Sequence, residues 1–258
     1  MKYSDNFKAK KETLLSKKVC VGFDGFVDLV IRPVKTRTDE TTCTYYSTIG
    51  QFGDKISSLA GVSGNIELSV SSTDFGGCGP HYANGLANMG VDLTCVGAMG
   101  YPEKNPVFNL NPNCKTITVS EPGYSYVFEF GDGKIIMSDI EKISRLKWED
   151  LIERISVDEM VKIFDEADII TLVNWSYLVH FHKIYEKFLE EVMPRLSKKD
   201  RKVYIDIADC AKRGAEEIKL ALKMFGRYSK YAPTYLGLTR PRQWLCIMFC
   251  ARVSMWIL

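Results

Sequence analysis

The sequence predicts an α/β domain built around a mainly parallel β-sheet, and two patterns support this fold class. Residues 168–173 form a continuous apolar run, which is typical of a strand buried on both faces of a parallel sheet. From residue 148 onward, helical and strand-like segments alternate along the chain, as they do in βαβ architectures. Hydrophobic residues make up 46% of the 258 residues and charged residues 26%, which excludes a disordered chain, a collagen or a bundle of membrane spans.

The individual elements follow from local periodicity and turn signals. Residues 18–22 are a short apolar run that ends at a glycine, which predicts a buried first strand after a lysine-rich helix at about 6–16. Gly90 closes a helix predicted over 81–89. The other predicted helices are 51–61, 149–155, 158–165, 181–196 and 216–225, and the other predicted strands are 67–72, 93–97, 115–120, 124–130, 135–138 and 202–206.

Two further segments, about residues 29–48 and 114–138, are predicted to form a small β layer beside the main sheet. The first is rich in β-branched and polar residues and has no helical period. The second contains Gly131-Asp132-Gly133 between two strand-like runs, which is a hairpin turn signal.

Charge and cysteine content restrict the possible partners. The chain has 34 Lys+Arg against 32 Asp+Glu, so it offers no broad basic field for a nucleic-acid backbone or an anionic membrane. Its eight cysteines include no Cys-x-x-Cys pair and only three histidines accompany them, a pattern that does not favour zinc. No secretory leader precedes the first strand, so we expect reduced cysteines and a cytoplasmic protein.

Three short motifs carry candidate chemistry. Asp24 and Asp28 come just beyond the first buried strand, and ligands of open α/β sheets bind outside the carboxyl ends of strands. The glycine pair Gly76-Gly77 precedes a helix, so a ligand could approach its backbone and the free N–H groups of the helix start. Asp206 ends another strand, where it could help to organise Mg²⁺. Each motif has a purely structural alternative: a turn acid, a tight turn and a helix cap.

Taken together and in this order, these motifs resemble the ribokinase/PfkB carbohydrate-kinase family. The resemblance covers roughly residues 17–238 and implies a three-layer α/β sandwich with a mainly parallel sheet and a small β lid. Its most specific part is the family's first signature, which here comprises Gly76, Gly77, Ala83, Leu86, Ala87, Gly90, Val96, Gly97 and Gly100.

The resemblance implies a role for individual residues in binding a sugar or nucleoside. Asp28 matches the family's sugar-binding acid, and Asp24 is a second candidate at a slightly different spacing. Gly76 and Gly77 match the glycine pair that lines the sugar pocket. His81 stands where the family usually has Asn.

The resemblance also implies cofactors and an assembly. Asn174 ends a strand that faces the site, and Asp206 matches an acid of the nucleotide side, with Ile207 and Ala208 in place of the family's Pro-Asn. ATP and Mg²⁺ are the cofactors that the family uses. A homodimer formed through the lid is a further implication.

Two later motifs of the family are missing from the sequence. One is Asn-x-x-Glu, which organises Mg²⁺, and the other is Gly-Ala-Gly-Asp, whose Asp accepts the proton of the attacking hydroxyl; no Gly-x-Gly-Asp occurs in the chain. Residues 1–238 are therefore expected to form an incomplete ribokinase-like domain without a catalytic base, inactive as a kinase. The alternative function is a non-catalytic remnant that binds sugar or a partner. A dinucleotide-binding oxidoreductase is less favoured, because no Gly-x-Gly-x-x-Gly follows a strand.

Residues 239–258 differ in composition from the rest of the chain. Thirteen of these twenty residues are hydrophobic, and they include three arginines and no acid. One choice of codons, with a single inserted base, restores Asn-x-x-Glu directly after Leu238, so we interpret the segment as a frameshifted tail. A membrane anchor is the competing explanation, but residues 244–258 are shorter than the about 20 apolar residues that a span requires.

Overall fold

A computed structural model of the protein describes residues 3–237, which contain seven α-helices and eleven strands. The helices are α1 (Tyr3–Leu15), α2 (Ile49–Ser57), α3 (Cys78–Asn88), α4 (Trp148–Arg154), α5 (Val157–Asp165), α6 (Phe181–Lys187) and α7 (Ala215–Tyr228). The strands are β1 (Lys18–Phe23), β2 (Phe26–Arg37), β3 (Cys43–Tyr45), β4 (Leu68–Gly76), β5 (Asp92–Gly97), β6 (Cys114–Thr118), β7 (Gly123–Phe130), β8 (Gly133–Asp139), β9 (Ile169–Leu172), β10 (Lys202–Asp206) and β11 (Thr234–Gly237).

Six strands form the main sheet in the order β11-β10-β9-β1-β5-β6. Every neighbouring pair in it is parallel, as the apolar runs predicted. The carboxyl ends of β1, β9 and β10 therefore lie side by side at one edge of the sheet. The short edge strand β11 was not predicted from the sequence.

Helices cover both faces of this sheet, and the alternation of side chains along β1 assigns the faces. Val19 and Val21 pack into the apolar cluster that contains α3, and the last residues of α1 pack against the same cluster. Cys20 and Phe23 point to the opposite face, where they join the larger cluster formed with α4 to α7. The three-layer α/β sandwich predicted from the sequence is confirmed.

The second sheet has the order β3-β2-β7-β8, with β4 also paired to β2. Its composition differs from the predicted lid in two ways. The boundary at residue 114 is wrong, because β6 pairs in parallel with β5 and extends the main sheet. In addition, β4 lies antiparallel to β2 from Leu68 to Gly76, so this strand belongs to the small sheet. We call β2, β3, β4, β7 and β8 the lid sheet.

Helix α2 closes one side of the lid sheet through a small aromatic core. Phe52 is 4% exposed, and its ring stacks on Phe128 with centroids 5.8 Å apart. Ile31 completes the buried part of this cluster. The lid sheet therefore has its own apolar support and does not depend on the main core alone.

The segment predicted as one helix over residues 181–196 is divided. Helix α6 ends at Lys187. A π-helical turn follows over Phe188–Val192, and a 3₁₀ turn over Met193–Arg195. Pro194 supplies the physical reason, because it has no backbone N–H and its ring obstructs the carbonyl four residues earlier.

Three expectations concern membrane spans, disulfides and the chain end. Within residues 3–237, no helix is long and apolar enough to cross a membrane. The six cysteines of this part of the chain form no disulfides. The predicted hydrophobic tail 239–258 lies outside the described residues.

Candidate functional site

Three polar side chains meet where the central strands of the main sheet end. Asp24 follows β1 directly, Asn174 comes two residues after β9, and Asp206 is the last residue of β10. Because β10, β9 and β1 are neighbours in the sheet, their carboxyl ends bring these residues together. The sequence predicted all three residues as candidates. The parallel arrangement of the three strands brings their side chains close together.

Asp24 is the buried hub of this cluster. Its side chain accepts hydrogen bonds from the backbone N–H groups of Cys78 (2.8 Å) and Gly79 (2.7 Å). Asn174 Nδ2 donates a third, at 2.8 Å to Oδ2. Asp24 is 1% exposed. The carboxylate therefore caps the first turn of α3 from a distant strand, and a direct contact between Asp24 and a substrate stays a prediction.

The surroundings of Asp24 and Cys78 favour the protonated forms of both side chains. Burial raises the pKa of Asp24 in spite of its three hydrogen bonds, and the negative charge of Asp206 adds to the shift. Burial also raises the pKa of the Cys78 thiol, as do the charges of Asp24 and Asp206. Cys78 is therefore a poor nucleophile, since the thiolate is the reactive form.

Asp28 lies in β2, where the lid sheet leaves the main domain, and its carboxylate rests on Gly76. A Cβ built on Gly76 would lie 2.1 Å from Asp28 Oδ1, a distance that no side chain tolerates. Gly76 is therefore required for the close approach of this carboxylate to the loop. The antiparallel pairing of β4 with β2 places Gly76 opposite Phe26, two residues before Asp28 in β2.

The next residue, Gly77, turns the chain from β4 into α3. Its φ of +93° lies in the region that favours glycine, and it occupies the N-cap position of the helix. A Cβ at Gly77 would lie 3.1 Å from Asp24 Oδ2. The predicted glycine pair thus touches both acids: Gly76 contacts Asp28, and Gly77 contacts Asp24.

His81 lies in the first turns of α3, next to Phe75 of β4. Its ring centroid lies 5.2 Å from that of Phe75. Burial raises the pKa of Asp28, whereas a hydrogen bond from Ser125 and the charge of His81 act in the opposite direction. Asp28 is therefore half-buried and held between a hydroxyl, an imidazole and a glycine backbone.

Sequence reasoning missed the groups that hold the two acids in place. Ser125 lies opposite Asp28 in the parallel pairing of β2 and β7, and only the tertiary pairing reveals this. The N–H groups of Cys78 and Gly79 are donors that any helix start provides, but the sequence does not say which acid accepts from them.

The described residues do not supply a metal site of their own. No group of three or more His, Cys, Asp or Glu side chains in residues 3–237 is arranged to hold a metal ion. Asp206 accepts a hydrogen bond from the N–H of Ala208 at 3.1 Å. The carboxylate of Asp24 already accepts hydrogen bonds from the first residues of α3. These two residues alone do not constitute a magnesium site.

The parallel sheet, the lid sheet and the Gly-Gly helix start together define a ribokinase-like carbohydrate-kinase domain. A profile of the prokaryotic ketohexokinase family matches residues 7–244, and the chain belongs to this family. A ketohexokinase from Haloferax volcanii is 26% identical over 203 residues, which cover 78% of this chain and 54% of that protein.

Solved structures agree in fold. A protein from Enterococcus faecalis, provisionally named 2-keto-3-deoxygluconate kinase, superposes with a TM-score of 0.54 at 10% identity, covering 92% of this chain and 62% of its own. A nucleoside kinase from Burkholderia thailandensis in complex with inosine gives 0.50 at 10% identity, covering 92% of this chain and 65% of its own. The chain thus spans about half the length of the curated relative that it matches.

Proposed function

We propose that this chain binds a sugar as the phosphoryl acceptor of an ATP-dependent kinase, with a ketohexose as the substrate that family membership favours. The observation that carries the proposal is the Asp28 carboxylate on the bare backbone of Gly76. Two carboxylate oxygens can accept hydrogen bonds from two neighbouring hydroxyls, as a sugar presents them. The glycine leaves the backbone of the helix start accessible at the same place.

Each acid has a distinct part in this proposal. Asp28 accepts hydrogen bonds from the sugar, and Asp24 keeps the start of α3 and its glycine pair in position. Asn174 holds Asp24 from the neighbouring strand. His81 is exposed on α3 beside Asp28, where its N–H can donate to a sugar oxygen.

The cofactor side of the proposal depends on the family. ATP supplies the phosphoryl group when it is bound, and Asp206 at the end of β10 is the residue proposed for that side, next to Cys78. Asp206 lies beside Cys78 at the start of α3, and Asp28 lies against Gly76 just before it, so the acceptor and the nucleotide would meet at this helix start.

Calorimetric titration of the 258-residue protein with fructose and other sugars tests the acceptor site directly. We expect fructose to bind and Asp28→Asn to abolish the heat of binding. Asp54→Asn, on the exposed face of α2, is the matched control and should bind like the parent. Absence of binding by the parent to every sugar tested would refute the proposal.

The second candidate is a non-catalytic sugar-binding protein, and the missing Gly-x-Gly-Asp motif favours it. The two candidates share the sugar site and differ in chemistry. Titration with sugar in the presence and absence of ATP, together with an assay for ADP release, separates them. Sugar binding without ADP release supports the second candidate.

A dimer formed through the lid sheet is a further part of the proposal. The lid sheet exposes apolar side chains, including Val70 (53%), Ile136 (60%) and Met137 (47%), and exposed apolar patches mark interaction surfaces. Sedimentation velocity should give a dimer that Ile136→Lys converts to a monomer. A monomer for the parent protein would contradict this part.

A further inference from the structure

A cavity that shares no lining residue with the candidate site lies at the ends of β5 and β6. It has a volume of about 710 Å³, within the range of small-molecule sites, and none of the seven candidate residues lines it. It lies between the loops that follow β5 and β6, the loop from β8 into α4, and His180.

The residues that line this cavity carry more positive than negative charge. Four permanent cations line it, namely Lys142, Arg145, Lys147 and Arg154, against two carboxylates, Glu121 and Asp150. The lining therefore carries a net charge of +2 before His180 is counted, on a chain whose total charge is also +2. A phosphate monoester carries about −1.5 to −2 at neutral pH, so one such group would balance the cavity.

One of the cations is held rigidly in place. The Arg154 guanidinium donates to the carbonyl of Val119 and lies 4.5 Å from the centroid of the Tyr101 ring. Both contacts leave the side chain positioned before any ligand arrives, which lowers the entropic cost of binding. Arginine is also the side chain best suited to phosphate recognition.

The other cations are only loosely engaged. Lys142 faces Glu121 at 3.7 Å, with both side chains largely exposed, and Arg145 pairs with the exposed Glu141 outside the cavity lining. Exposed pairs of this kind contribute little free energy. Lys147 forms no ion pair with any residue between 3 and 237. These side chains can therefore turn to a ligand at low cost.

A neutral donor accompanies them on the same loop. The Ser144 hydroxyl oxygen is shielded from solvent and has no hydrogen-bond partner within the described part of the chain, and Ser144 lines the cavity. A buried polar group without a partner is costly, and a phosphate oxygen would supply that partner.

From this combination we infer that the cavity is a binding site for a small phosphorylated molecule, separate from the proposed sugar site. Arg154 orients the phosphate, Ser144 donates a neutral hydrogen bond, and Lys142, Arg145 and Lys147 close around its charge. The inference does not depend on the proposed kinase function, because no residue is shared between the two sites.

Calorimetric titration of the full chain with inorganic pyrophosphate at low ionic strength tests the inference. We expect binding that Lys147→Glu weakens by roughly tenfold or more, since a charge-assisted contact becomes a repulsion. Lys199→Glu is the matched control: it makes the same charge change at an exposed position outside the cavity and should bind as the parent does. Asp28→Asn should also retain pyrophosphate binding, which separates this site from the sugar site.

Two results would overturn the inference. One is the absence of pyrophosphate binding by the parent protein. The other is an equal loss in the Lys147 and Lys199 variants, because this would mean attraction to overall charge alone. Thermal unfolding of each variant checks that it is folded, and Arg145→Ala, at an exposed side chain, replaces Lys147→Glu if the latter does not fold.

Discussion

Asn174 donates a hydrogen bond of 2.8 Å to Asp24, which joins the ends of two neighbouring strands that lie 150 residues apart in the sequence. The same carboxylate accepts from the start of α3. One buried acid therefore connects β1, β9 and the glycine loop. The position of Gly77 next to it depends on this connection.

The Asp24 hub should be essential for stability. Asp24→Asn replaces one acceptor oxygen by an NH₂ group, so at least one of the three donors loses its partner. Each buried donor left unsatisfied costs about 1–3 kcal/mol. Urea unfolding should therefore show a loss of this size. Asp54→Asn, on an exposed helix face, should unfold like the parent, and equal midpoints for the two variants would contradict the assigned role of Asp24.

Gly76→Ala should remove sugar binding while the protein stays folded. The new Cβ would collide with the Asp28 carboxylate and displace it from the glycine loop. Loss of a hydrogen bond to a charged group corresponds to about 10- to 100-fold in affinity. Gly85→Ala in the same helix is the control, since a Cβ at Gly85 meets nothing within 4 Å and alanine favours the helix. Equal sugar affinities in the two variants would refute the role of Gly76.

Sugar affinity should fall in mild acid. Burial raises the pKa of Asp28 above its ordinary value of 3.8, so the carboxylate takes up its proton at a higher pH than an exposed aspartate does. Protonation converts one acceptor oxygen into a donor, and affinity decreases as the pH falls through the raised pKa. Titrations across a pH series measure this midpoint, which Asp54→Asn should leave unchanged.

Acid unfolding through Asp28 does not explain such a loss. A raised pKa in the folded state means that the folded protein holds this proton more tightly than the unfolded chain. The contribution of Asp28 to stability is therefore present below the unfolded pKa and is lost as the pH rises through the folded value. A thermal midpoint that does not fall over the pH range where binding fails would confirm the distinction, whereas parallel loss of both would contradict it.

Phosphoryl transfer by the 258-residue polypeptide should be very slow. It has no Gly-x-Gly-Asp motif, and a general base contributes about 10²–10⁴-fold to the rate. A coupled assay of ADP release with fructose should give turnover far below the ~1 s⁻¹ at the lower end for kinases. Haloferax volcanii ketohexokinase, assayed in parallel, serves as the positive control. Turnover near ~1 s⁻¹ by this polypeptide would refute the prediction.

The order of helices and strands was largely predictable because apolar periodicity is a local property. β1, β9 and β10 were predicted within two residues of their ends, since each is a short run rich in apolar residues, of which at least the alternate positions are buried. The membership of β6 was not predictable. Its sequence is that of a strand, but local periodicity does not tell whether it pairs with the preceding strand β5 or with the following strands of the lid sheet.

The π-helical turn after α6 illustrates a different limit. Residues 181–196 have one amphipathic period, so a single helix was predicted. Pro194 interrupts the backbone hydrogen bonds near its end, and the chain changes its helical register over Phe188–Val192. A proline signals a break, but the position of the break depends on how the large side chains before it fit the core.

The sequence alone determined the fold class and singled out the candidate site residues, because buried strands and glycine turns leave a local pattern. Only the tertiary structure distinguished the surroundings of the two acids. Asp24 and Asp28 are four residues apart and look equivalent in the sequence, yet one is enclosed by helix N–H groups and the other rests on Gly76 at the base of the lid sheet. Burial and hydrogen-bond partners come from elements far away in the chain, and these decide which carboxylate supports the fold and which remains available to a ligand.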